Sequence, residues 1–455
     1  MNSIPDLRDY QKKAIGNWRE AGYQGLFEMA TGTGKTLTAL SGAKLLLAAT
    51  GKLIVIILVP TLDLADQWKS ETRKFLTPDI ILANSKNEGW YKEILISLNQ
   101  FNHNFCIIST YATFLTPKFQ HILKLVPEET LLIADEVHNF GTLKHIAFYP
   151  SQLKYRLGLS ATPDRYFDEE GSKAIYEYFN VQFYPTFTFT MEEAIDQGFL
   201  CEYYYYPKLV SLTDNELIEY KEISRKLMRF FDAGSGKLKD NGAVSALMLK
   251  RKRIIHNASN KIAIFEEIMD DLITKFTPLK YLLVYVPEGK DNTVDDEDKK
   301  LIDEYSRIIT RKYRLSQHQF IGGTTNRGNV LEQFAAGKIA VLTAMKCLDE
   351  GVDVRRAEIA IFCSSTGNPR QFIQRRGRIL RTHPQKRYAT IYDLVVVPEI
   401  SNQYFEDTLL MEKSILQSEF RRVREFAGLA LNHYQALEAL DQKASEFNID
   451  IFSNN

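Results

Sequence analysis

Short runs of β-branched and other apolar residues alternate along this chain with segments of helical pattern. In the first half the runs occupy residues 53–59, 105–110, 131–136 and 156–162, and in the second half residues 281–286, 319–322, 339–344, 360–364 and 388–396. Strands that alternate with helices are typical of parallel sheets joined by crossover helices, and not of β-sandwiches. Because the pattern occurs twice, we predict an α/β fold with two tandem parallel-sheet domains.

The region between the two patterns differs from both. Residues 202–210 look extended, residues 215–269 read as helices, and the chain again reads as helix from about residue 405. A chain of 455 residues is too long for a single compact core. We therefore expect an N-terminal domain over residues 1–205, a helical insert over 206–262, a C-terminal domain over 263–400 and a helical C-terminal extension over 401–455.

The charge balance limits the partners that the whole molecule can attract. Lys and Arg number 57, as do Asp and Glu, so the formal net charge is zero and a polyanion site must be a local basic patch. The first residues lack the apolar segment of a signal peptide, and the apolar run at residues 53–60 is too short to cross a bilayer. The cysteines form no CxxC pair, so we expect no zinc site and a reducing, cytoplasmic location.

The segment "EMATGTGKT" at residues 28–36 lies between a predicted strand and a predicted helix. Gly32 and Gly34 allow a tight turn whose N–H groups, with the start of the helix, form an anion nest. Lys35 can then contact the terminal phosphates, and Thr36 can offer its hydroxyl to Mg²⁺. The strict GxxxxGK[ST] pattern fails because Met29 occupies its first position. The alternative, a glycine-rich turn with an exposed lysine, fits the flanking strand and helix less well.

The apolar run at residues 131–134 ends in two acids, Asp135 and Glu136. In a phosphate-loop protein the first acid holds the Mg²⁺ shell, and the second orients and deprotonates the attacking water. We therefore assign Mg²⁺ to Thr36 and Asp135, and water activation to Glu136. The alternative is a pair of acids that caps the strand end. For His138 two interpretations stay open: it relays contacts from the nucleotide to neighbouring motifs, or it fills a polar pocket.

The segment "DEVH" at residues 135–138 resembles the superfamily two helicases of the DExH group. Other segments resemble further motifs of this family, and their joint occurrence from about residue 7 to 396 is far more specific than any one of them. In chain order they are LRDYQ at 7–11, VPT at 59–61 with QW at 67–68, STY at 109–111, GLSATP at 158–163, Thr343 with GVD at 351–353, and QRRGRILR at 374–381.

Two longer segments narrow the resemblance within the superfamily. "SATPDRYFDEEG" and "EAIDQGFL" are similar to the helicase modules of restriction enzymes and related bacterial DNA translocases. The chain is also similar to XPB-like repair helicases, although the Arg-Glu-Asp triplet of that group is absent after the SAT motif. The resemblance implies two tandem RecA-like domains that use ATP and Mg²⁺.

The resemblance also assigns residues to the nucleotide. Gln11, with Arg8, would recognise adenine, and Arg375 would pair with the phosphates or with Glu136. Arg378 and Arg381 are three residues apart, so on a helix they share one face, from which they would neutralise the transferred phosphoryl group. The complete expected set for the nucleotide is Arg8, Gln11, Thr31, Gly32, Thr33, Gly34, Lys35, Thr36, Gly351, Asp353, Gln374 and Arg375.

A nucleic-acid strand would bind through its phosphates, and hydrolysis would be coupled to its movement. The resemblance assigns the strand contacts to Pro60, Thr61, Thr110 and Thr343, and the coupling to His138, Ser160 and Thr162. Contacts to phosphates position a strand without reading its sequence, so binding should be tolerant of sequence and sensitive to salt.

Three further clusters have open interpretations. The basic residues 250–253 either contact duplex DNA or form a solvated helix face. The four tyrosines at 203–206 either stack on bases or pack at a domain junction. The arginines Arg421, Arg422 and Arg424 are expected to be solvated.

The leading hypothesis is an ATP-dependent DNA helicase or translocase. ATP would be hydrolysed in the cleft between two RecA-like domains, and the protein would serve as the motor of a restriction, defence or repair system. The alternatives are an RNA helicase or remodeller, and an ATP-gated nucleic-acid-binding subunit of a larger complex whose nuclease is another chain. The expected partners are DNA or RNA and such protein subunits, but no membrane.

Overall fold

The computed structural model describes residues 6–76, 79–100, 104–165, 168–182, 184–232, 237–238, 242–287, 296–321, 324, 326–345, 354–364, 369–397, 406–446 and 449. The chain forms two compact units, Met1–Leu200 and Cys201–Asn455. Among the described residues, no helix combines the length and the apolar character needed to cross a bilayer. The predicted site residues Gly351 and Asp353 lie outside the described residues.

The first unit is built on a parallel sheet of seven strands. Its order is β3-β4-β2-β5-β6-β1-β7, and every pairing is parallel. The strands are β1 (Gln24–Met29), β2 (Ile54–Val59), β3 (Ile80–Ala83), β4 (Phe105–Thr110), β5 (Leu131–Asp135), β6 (Tyr155–Ser160) and β7 (Phe187–Phe189). The central strands β2, β4 and β5 are buried at every position, which explains their continuous apolar runs.

Helices connect these strands and supply the other half of the core. They are α1 (Asp9–Glu20), α2 (Lys35–Thr50), α3 (Leu62–Phe75), α4 (Trp90–Leu98), α5 (Tyr111–Phe114), α6 (Pro117–Leu125), α7 (Leu143–Ile146), α8 (Glu169–Tyr178) and α9 (Met191–Asp196). A short 3₁₀ helix spans Val137–Asn139. Because the strands are parallel, their carboxyl ends meet at one edge, where the loops that carry the predicted motifs begin.

The second unit contains a six-stranded parallel sheet of order β12-β13-β11-β14-β15-β8. A two-stranded antiparallel pair, β9 (Phe231–Asp232) and β10 (Lys237–Leu238), stands apart. The sheet strands are β8 (Tyr203–Val210), β11 (Leu282–Tyr285), β12 (Gln317–Phe320), β13 (Val341–Ala344), β14 (Ile359–Phe362) and β15 (Ala389–Val396). The two parallel sheets confirm the predicted fold class.

Strand β8 pairs with β15 over its whole length, from Tyr203 opposite Ala389 to Val210 opposite Val396. The expected limit at 205/206 falls inside this strand, and the limits of the four expected domains stay a prediction. Tyr203 and Tyr205 are fully buried, so they pack and cannot stack on bases. Half-buried Tyr204 and Tyr206 stack on each other, with ring centroids 6.4 Å apart.

The helices of the second unit are α10 (Asp214–Met228), α11 (Gly242–His256), α12 (Asn260–Lys275), α13 (Asp296–Arg307), α14 (Arg327–Ala335), α15 (Pro369–Ile379), α16 (Glu406–Gly428) and α17 (His433–Glu446). A π-helical turn, Ile308–Lys312, follows α13. The basic residues 250–253 lie on α11. Arg251 is buried and its guanidinium lies 5.6 Å from the Tyr220 ring, whereas Lys250, Lys252 and Arg253 are exposed.

The expectation that the tail arginines are solvated was wrong for Arg422. Its side chain is buried, with a guanidinium nitrogen 3.4 Å from Asp393 Oδ2 and 3.0 Å from Glu419 Oε2. Burial lowers the pKa of Arg422, but the charges of Asp393 and Glu419 outweigh it and raise the pKa above its ordinary value. The Tyr205 hydroxyl also donates to Asp393 Oδ2 (2.8 Å). Helix α16 is therefore tied to β8 and β15 by a buried polar cluster.

Candidate functional site

The loop after β1 has the backbone that its glycines predict. Gly32 and Gly34 have φ of +92° and +89°, in the left-handed region that favours glycine. Gly34 is the residue before α2, whose first turn has no side-chain cap, so its N–H groups are available to an anion. Lys35 is the first residue of α2, and its ammonium donates to the Met29 carbonyl (3.1 Å). The Thr33 hydroxyl donates to Ala30 O (2.7 Å), which closes the loop.

The segment predicted to recognise adenine, residues 7–11, packs directly against this loop. A Cβ at Gly34 would lie 2.9 Å from Gln11 Nε2, closer than real side chains approach. The Arg8 N–H donates to Gln11 Oε1 (3.1 Å), so the amide of this buried residue turns its nitrogen toward the loop. The Tyr10 hydroxyl donates to the Thr33 carbonyl. Two motifs that are about twenty residues apart in the sequence therefore form one surface.

An aromatic group lies beside this segment. The guanidinium of Arg8 lies 4.1 Å from the centre of the Phe199 ring, and the Tyr10 ring stacks on Phe189 at 4.0 Å. Cation–π and stacking contacts of this kind are also the means by which proteins hold a purine. Arg8 itself is exposed, so it can reach a ligand.

Asp135 is the last residue of β5, and its carboxylate and main-chain carbonyl accept hydrogen bonds from neighbouring residues. The indole N–H of Trp68 donates to its Oδ2 (2.7 Å), and the Glu136 N–H donates to its Oδ1 (3.0 Å). The Tyr111 hydroxyl donates to its main-chain carbonyl (2.7 Å). Burial raises the pKa of Asp135, although the Trp68 indole, the charge of Lys35 and the Glu136 N–H each act to lower it. A cation at this carboxylate would compensate the cost of burying its charge.

Glu136 has a left-handed backbone, with φ of +47° and ψ of +56°. A non-glycine residue in this region is uncommon and is held there only by its surroundings. Its side chain is 14% exposed, and its Oε2 lies 3.6 Å from His138 Nδ1. The strand thus ends in a buried acid, and the acid directly after it is partly exposed.

The three predicted coupling residues lie together. His138 Nδ1 is 3.5 Å from Ser160 Oγ, and Ser160 Oγ accepts the N–H of Thr162 (3.0 Å). Arg165, three residues after Thr162, donates to the His138 carbonyl and to Asp168 Oδ2, the latter at 2.6 Å. The loops that follow β5 and β6 are therefore in contact through His138.

Two predicted strand-contact residues begin helices at the same edge of the sheet. Thr61 is the N-cap of α3 and accepts the Leu64 N–H (3.3 Å), while Pro60 precedes it. Thr110 is the N-cap of α5 and accepts the Thr113 N–H (3.3 Å). Thr61 is half-buried and Thr110 is 8% exposed. Both hydroxyls thus lie at helix N-termini, where the first backbone N–H groups have no partner within the helix.

In the second unit, several of the predicted residues are buried. Thr343 in β13 is fully buried, and its hydroxyl donates to Gln317 Oε1 (3.2 Å). Arg375 in α15 is 1% exposed; it donates to Ser364 Oγ (2.6 Å) and lies 4.8 Å from the centre of the Tyr285 ring. Neighbouring Gln374 is buried as well. The strand contact of Thr343 and the phosphate contacts of Gln374 and Arg375 stay predictions.

The arginines at the end of α15 differ in surroundings. Helix α15 ends at Ile379, so Arg378 lies in its last turn while Arg381 lies beyond it, and the expected common helix face was wrong. The Arg381 N–H still reaches Arg378 O (3.4 Å). Between the predicted residues, Arg376 donates to Glu425 Oε1 (3.2 Å) and covers the Phe426 ring at 4.2 Å, so it is held by α16.

The residues of the first unit fit a magnesium nucleotide. The Thr31 hydroxyl is buried and finds no hydrogen-bond partner among the described residues. A carboxylate and a hydroxyl, from Asp135 and Thr36, are oxygen donors of the kind that Mg²⁺ prefers. The charge of Lys35 acts on Asp135, which places the cation predicted to bind phosphate and the acid predicted to bind Mg²⁺ in one electrostatic environment.

Two family models match the chain. Residues 4–165 match the type III restriction enzyme res subunit, and residues 274–383 match the helicase conserved C-terminal domain. The chain therefore contains a restriction-enzyme-type domain and a helicase C-terminal domain. The helicase is accordingly an ATP-hydrolysing enzyme, and the predicted family resemblance is confirmed.

Curated relatives extend the similarity over most of the chain. The DNA 3′-5′ translocase XPB2 of Sulfurisphaera tokodaii is 29% identical over 83% of the helicase and 79% of the relative. A Rad25 protein of Haloarcula marismortui is 28% identical over 82% of the helicase, which spans only 50% of that relative. The XPB similarity holds although the helicase lacks the Arg-Glu-Asp triplet.

Solved structures share the fold of the helicase. One is the ATP-dependent Type ISP restriction-modification enzyme LlaBIII bound to DNA, with a TM-score of 0.58 and 19% identity over 93% of the helicase and 30% of that chain. Another is the Hef helicase domain of Pyrococcus furiosus, with a TM-score of 0.51 and 18% identity over 86% of the helicase and 95% of that chain. The prediction of RecA-like domains is confirmed at the level of the fold.

The functional residues that sequence reasoning missed are mostly aromatic. Trp68, Tyr111 and Tyr10 make side-chain hydrogen bonds to Asp135 or to the phosphate loop. Each lies inside or next to a motif quoted above, but no local spacing indicates its partner. The only available signal was their position directly beside motif residues.

Proposed function

We propose that the helicase is a motor that uses ATP to move along DNA and to separate or remodel its strands. One observation carries this proposal. The phosphate loop, the acid pair and the threonine N-caps Thr61 and Thr110 all lie at the carboxyl ends of strands of one parallel sheet, at the same edge. A nucleotide and a nucleic-acid strand can therefore act on the same set of loops. The names of the translocase and helicase relatives support DNA as the track.

We assign each part of the bound nucleotide to residues of the first unit. The loop from Thr31 to Thr36 and the start of α2 bind the phosphates, with Lys35 contacting the terminal ones. Gln11 turns its amide nitrogen toward this loop and helps to recognise adenine. Bound Mg²⁺, held by Thr36 and Asp135, would neutralise charge on the phosphate oxygens.

Hydrolysis needs a base for water and a cation for the phosphoryl group. We assign the water to Glu136, which directly follows the buried Asp135 and has a left-handed backbone. Arg378 and Arg381 are the proposed cations for the transferred group, a contribution of about 10³–10⁵ in rate where it has been measured in other nucleotide hydrolases. His138, Ser160 and Thr162 are proposed to couple this chemistry to strand movement.

The strand is proposed to be held mainly by its phosphates. Threonine hydroxyls and helix N-termini position a backbone without reading bases. Binding should therefore tolerate sequence changes and weaken as salt rises. Protein subunits of a restriction, defence or repair complex are further proposed partners, and the cytoplasm is the proposed location.

ATP turnover with single-stranded DNA, duplex DNA or RNA tests the proposed track. We expect DNA to stimulate turnover. Stimulation by RNA alone would move the assignment to an RNA helicase, and nucleotide-dependent binding without turnover would make the chain an ATP-gated binding subunit.

Replacement of the proposed base tests the chemistry. Glu136→Gln should bind ATP with near wild-type affinity and lose about 100-fold or more in turnover, because a positioned base contributes about 10²–10⁴. The matched control is Glu129→Gln, an exposed acid before β5, which should behave as wild type. Unchanged turnover in Glu136→Gln would contradict the assignment of the water-activating acid.

A further inference from the structure

Two helices connect the proposed strand contacts to Asp135. Helix α3 begins after its N-cap Thr61, and Trp68 lies seven residues further, two turns along the same face. Trp68 is 1% exposed and donates its indole N–H to Asp135 Oδ2 (2.7 Å). The acid is therefore fixed to the same rigid helix that starts at a strand contact.

The second connection reaches the same acid through its main chain. Tyr111 is the first residue of α5, directly after its N-cap Thr110. It is 5% exposed, and its hydroxyl donates to the Asp135 carbonyl (2.7 Å). His145 Nε2 lies 3.3 Å from the Tyr111 carbonyl, so the start of α5 is also held from the other side. One residue thus accepts a bond from each of the two helices.

The chemistry of these donors suits a mechanical connection. An indole N–H and a phenol O–H are neutral, so they orient the acid without supplying a charge that would compete with a cation. Both rings are large and buried, and close-packed interiors transmit small displacements instead of absorbing them. A shift at the start of α3 or α5 must therefore move Asp135, and a shift of Asp135 must move the helix starts.

We propose that Trp68 and Tyr111 are positioning residues that link strand binding at Thr61 and Thr110 to the orientation of Asp135. This inference rests on the proposed function, because it takes the two threonines as strand contacts and Asp135 as an acid that holds Mg²⁺. The positions of Trp68 and Tyr111 within their motifs do not by themselves indicate this role.

Thermodynamic reciprocity supplies a test that needs no turnover. If the magnesium complex of a non-hydrolysable ATP analogue changes DNA affinity by some factor, DNA changes nucleotide affinity by the same factor. The dissociation constant of fluorescein-labelled oligodeoxythymidylate is measured by anisotropy with and without this complex. Coupling factors of about 5 to 150 are typical of linked sites.

We expect Trp68→Phe and Tyr111→Phe each to bring the coupling factor at least about threefold closer to one, because each removes one donor and keeps a ring. DNA affinity without nucleotide and nucleotide affinity without DNA should change less than the factor does. A general loss of structure would instead weaken both affinities together, and thermal unfolding followed by circular dichroism identifies it. Tyr111→Phe removes only a hydroxyl, so it stays informative where Trp68→Phe folds poorly.

Matched controls have the same chemistry elsewhere in the first unit. Trp18 is fully buried and donates its indole N–H to Arg156 O (3.0 Å), and the Tyr149 hydroxyl donates to Phe140 O (3.1 Å). Trp18→Phe and Tyr149→Phe should keep the wild-type coupling factor. Equal loss of coupling in these controls would overturn the inference.

The outcomes separate this inference from the proposed function. A wild-type protein that binds no DNA, or whose DNA affinity ignores the nucleotide, would refute the proposed function itself. A wild-type protein with clear coupling that survives in both Trp68→Phe and Tyr111→Phe would overturn only the assignment of these two residues.

Discussion

Loss of the Arg422 guanidinium should destabilise the second unit far more than loss of its neighbour Arg421. Arg422 is buried and lies 3.4 Å from Asp393 Oδ2, and Asp393 is itself fully buried. Removal of one partner of a buried ion pair costs about 3–5 kcal/mol, because the other charge stays desolvated and uncompensated. Arg421 is exposed, so Arg421→Met should change stability by no more than about 0.5 kcal/mol.

The position of the tryptophans makes this prediction easy to localise. The chain has three, Trp18, Trp68 and Trp90, and all belong to the first unit. Tryptophan emission therefore reports the unfolding of the first unit, while calorimetry and circular dichroism report both. In Arg422→Met we expect a calorimetric transition about 6–20 °C lower, at about 2–4 °C per kcal/mol, with no matching shift of the tryptophan transition.

A second substitution checks the electrostatic cause. Asp393→Asn removes the uncompensated charge, so Arg422→Met with Asp393→Asn should recover at least about 1 kcal/mol relative to Arg422→Met alone. The reasoning is refuted if Arg422→Met and Arg421→Met differ by less than about 0.5 kcal/mol. It is equally refuted if the double variant recovers nothing, since the loss would then come from packing on Phe372, whose ring centre is 4.0 Å from the guanidinium.

Two further predictions concern a glycine and a buried lysine. Gly34→Ala should weaken nucleotide binding about tenfold or more, because a side chain there is strained at φ +89° and displaces Gln11, whereas Gly16→Ala meets no atom within 4 Å and should bind normally. Equal affinities of the two variants for a fluorescent ATP analogue would contradict this. Burial lowers the pKa of Lys261 to about 8. The unfolded chain keeps this proton to higher pH than the folded protein does. The free energy of unfolding of wild type, relative to that of Lys261→Met, should therefore rise by about 1.5 kcal/mol from pH 8 to pH 9.5. A constant or falling difference, measured by denaturant unfolding, would contradict this prediction.

The central strands were predictable because their composition leaves no other option. The apolar run predicted at 53–59 becomes β2, and it is buried at every position, as a strand covered on both faces must be. The short strand β3, of four residues, was not predicted. So few residues contain no measurable periodicity, and their pairing with a neighbour decides their conformation.

Some parts of the candidate site were predictable from neighbouring residues in the sequence, whereas others depend on contacts between residues that are distant in the sequence. The phosphate loop and the "DEVH" segment are contiguous, so their glycines and acids identify them directly. The bond between Trp68 and Asp135 joins residues 67 positions apart, and only the register of the sheet brings them together. Arg422 looked like one of several solvated charges because its partner Asp393 lies on a different element. Whether a charged side chain is buried depends on the tertiary structure and cannot be predicted from the neighbouring residues in the sequence.

Helix α16, in the predicted C-terminal extension, behaves as an integral part of the helicase fold. Glu425 and Phe426 hold Arg376 of α15, the Tyr203 hydroxyl donates to the Phe426 carbonyl, and Arg422 compensates Asp393. Protein engineers who exchange motor modules between relatives must therefore transplant this helix together with β8 and β15. A chimera joined between residues 400 and 406 would contain the sheet of the second unit without α16. Buried Asp393 would then lack its partner Arg422.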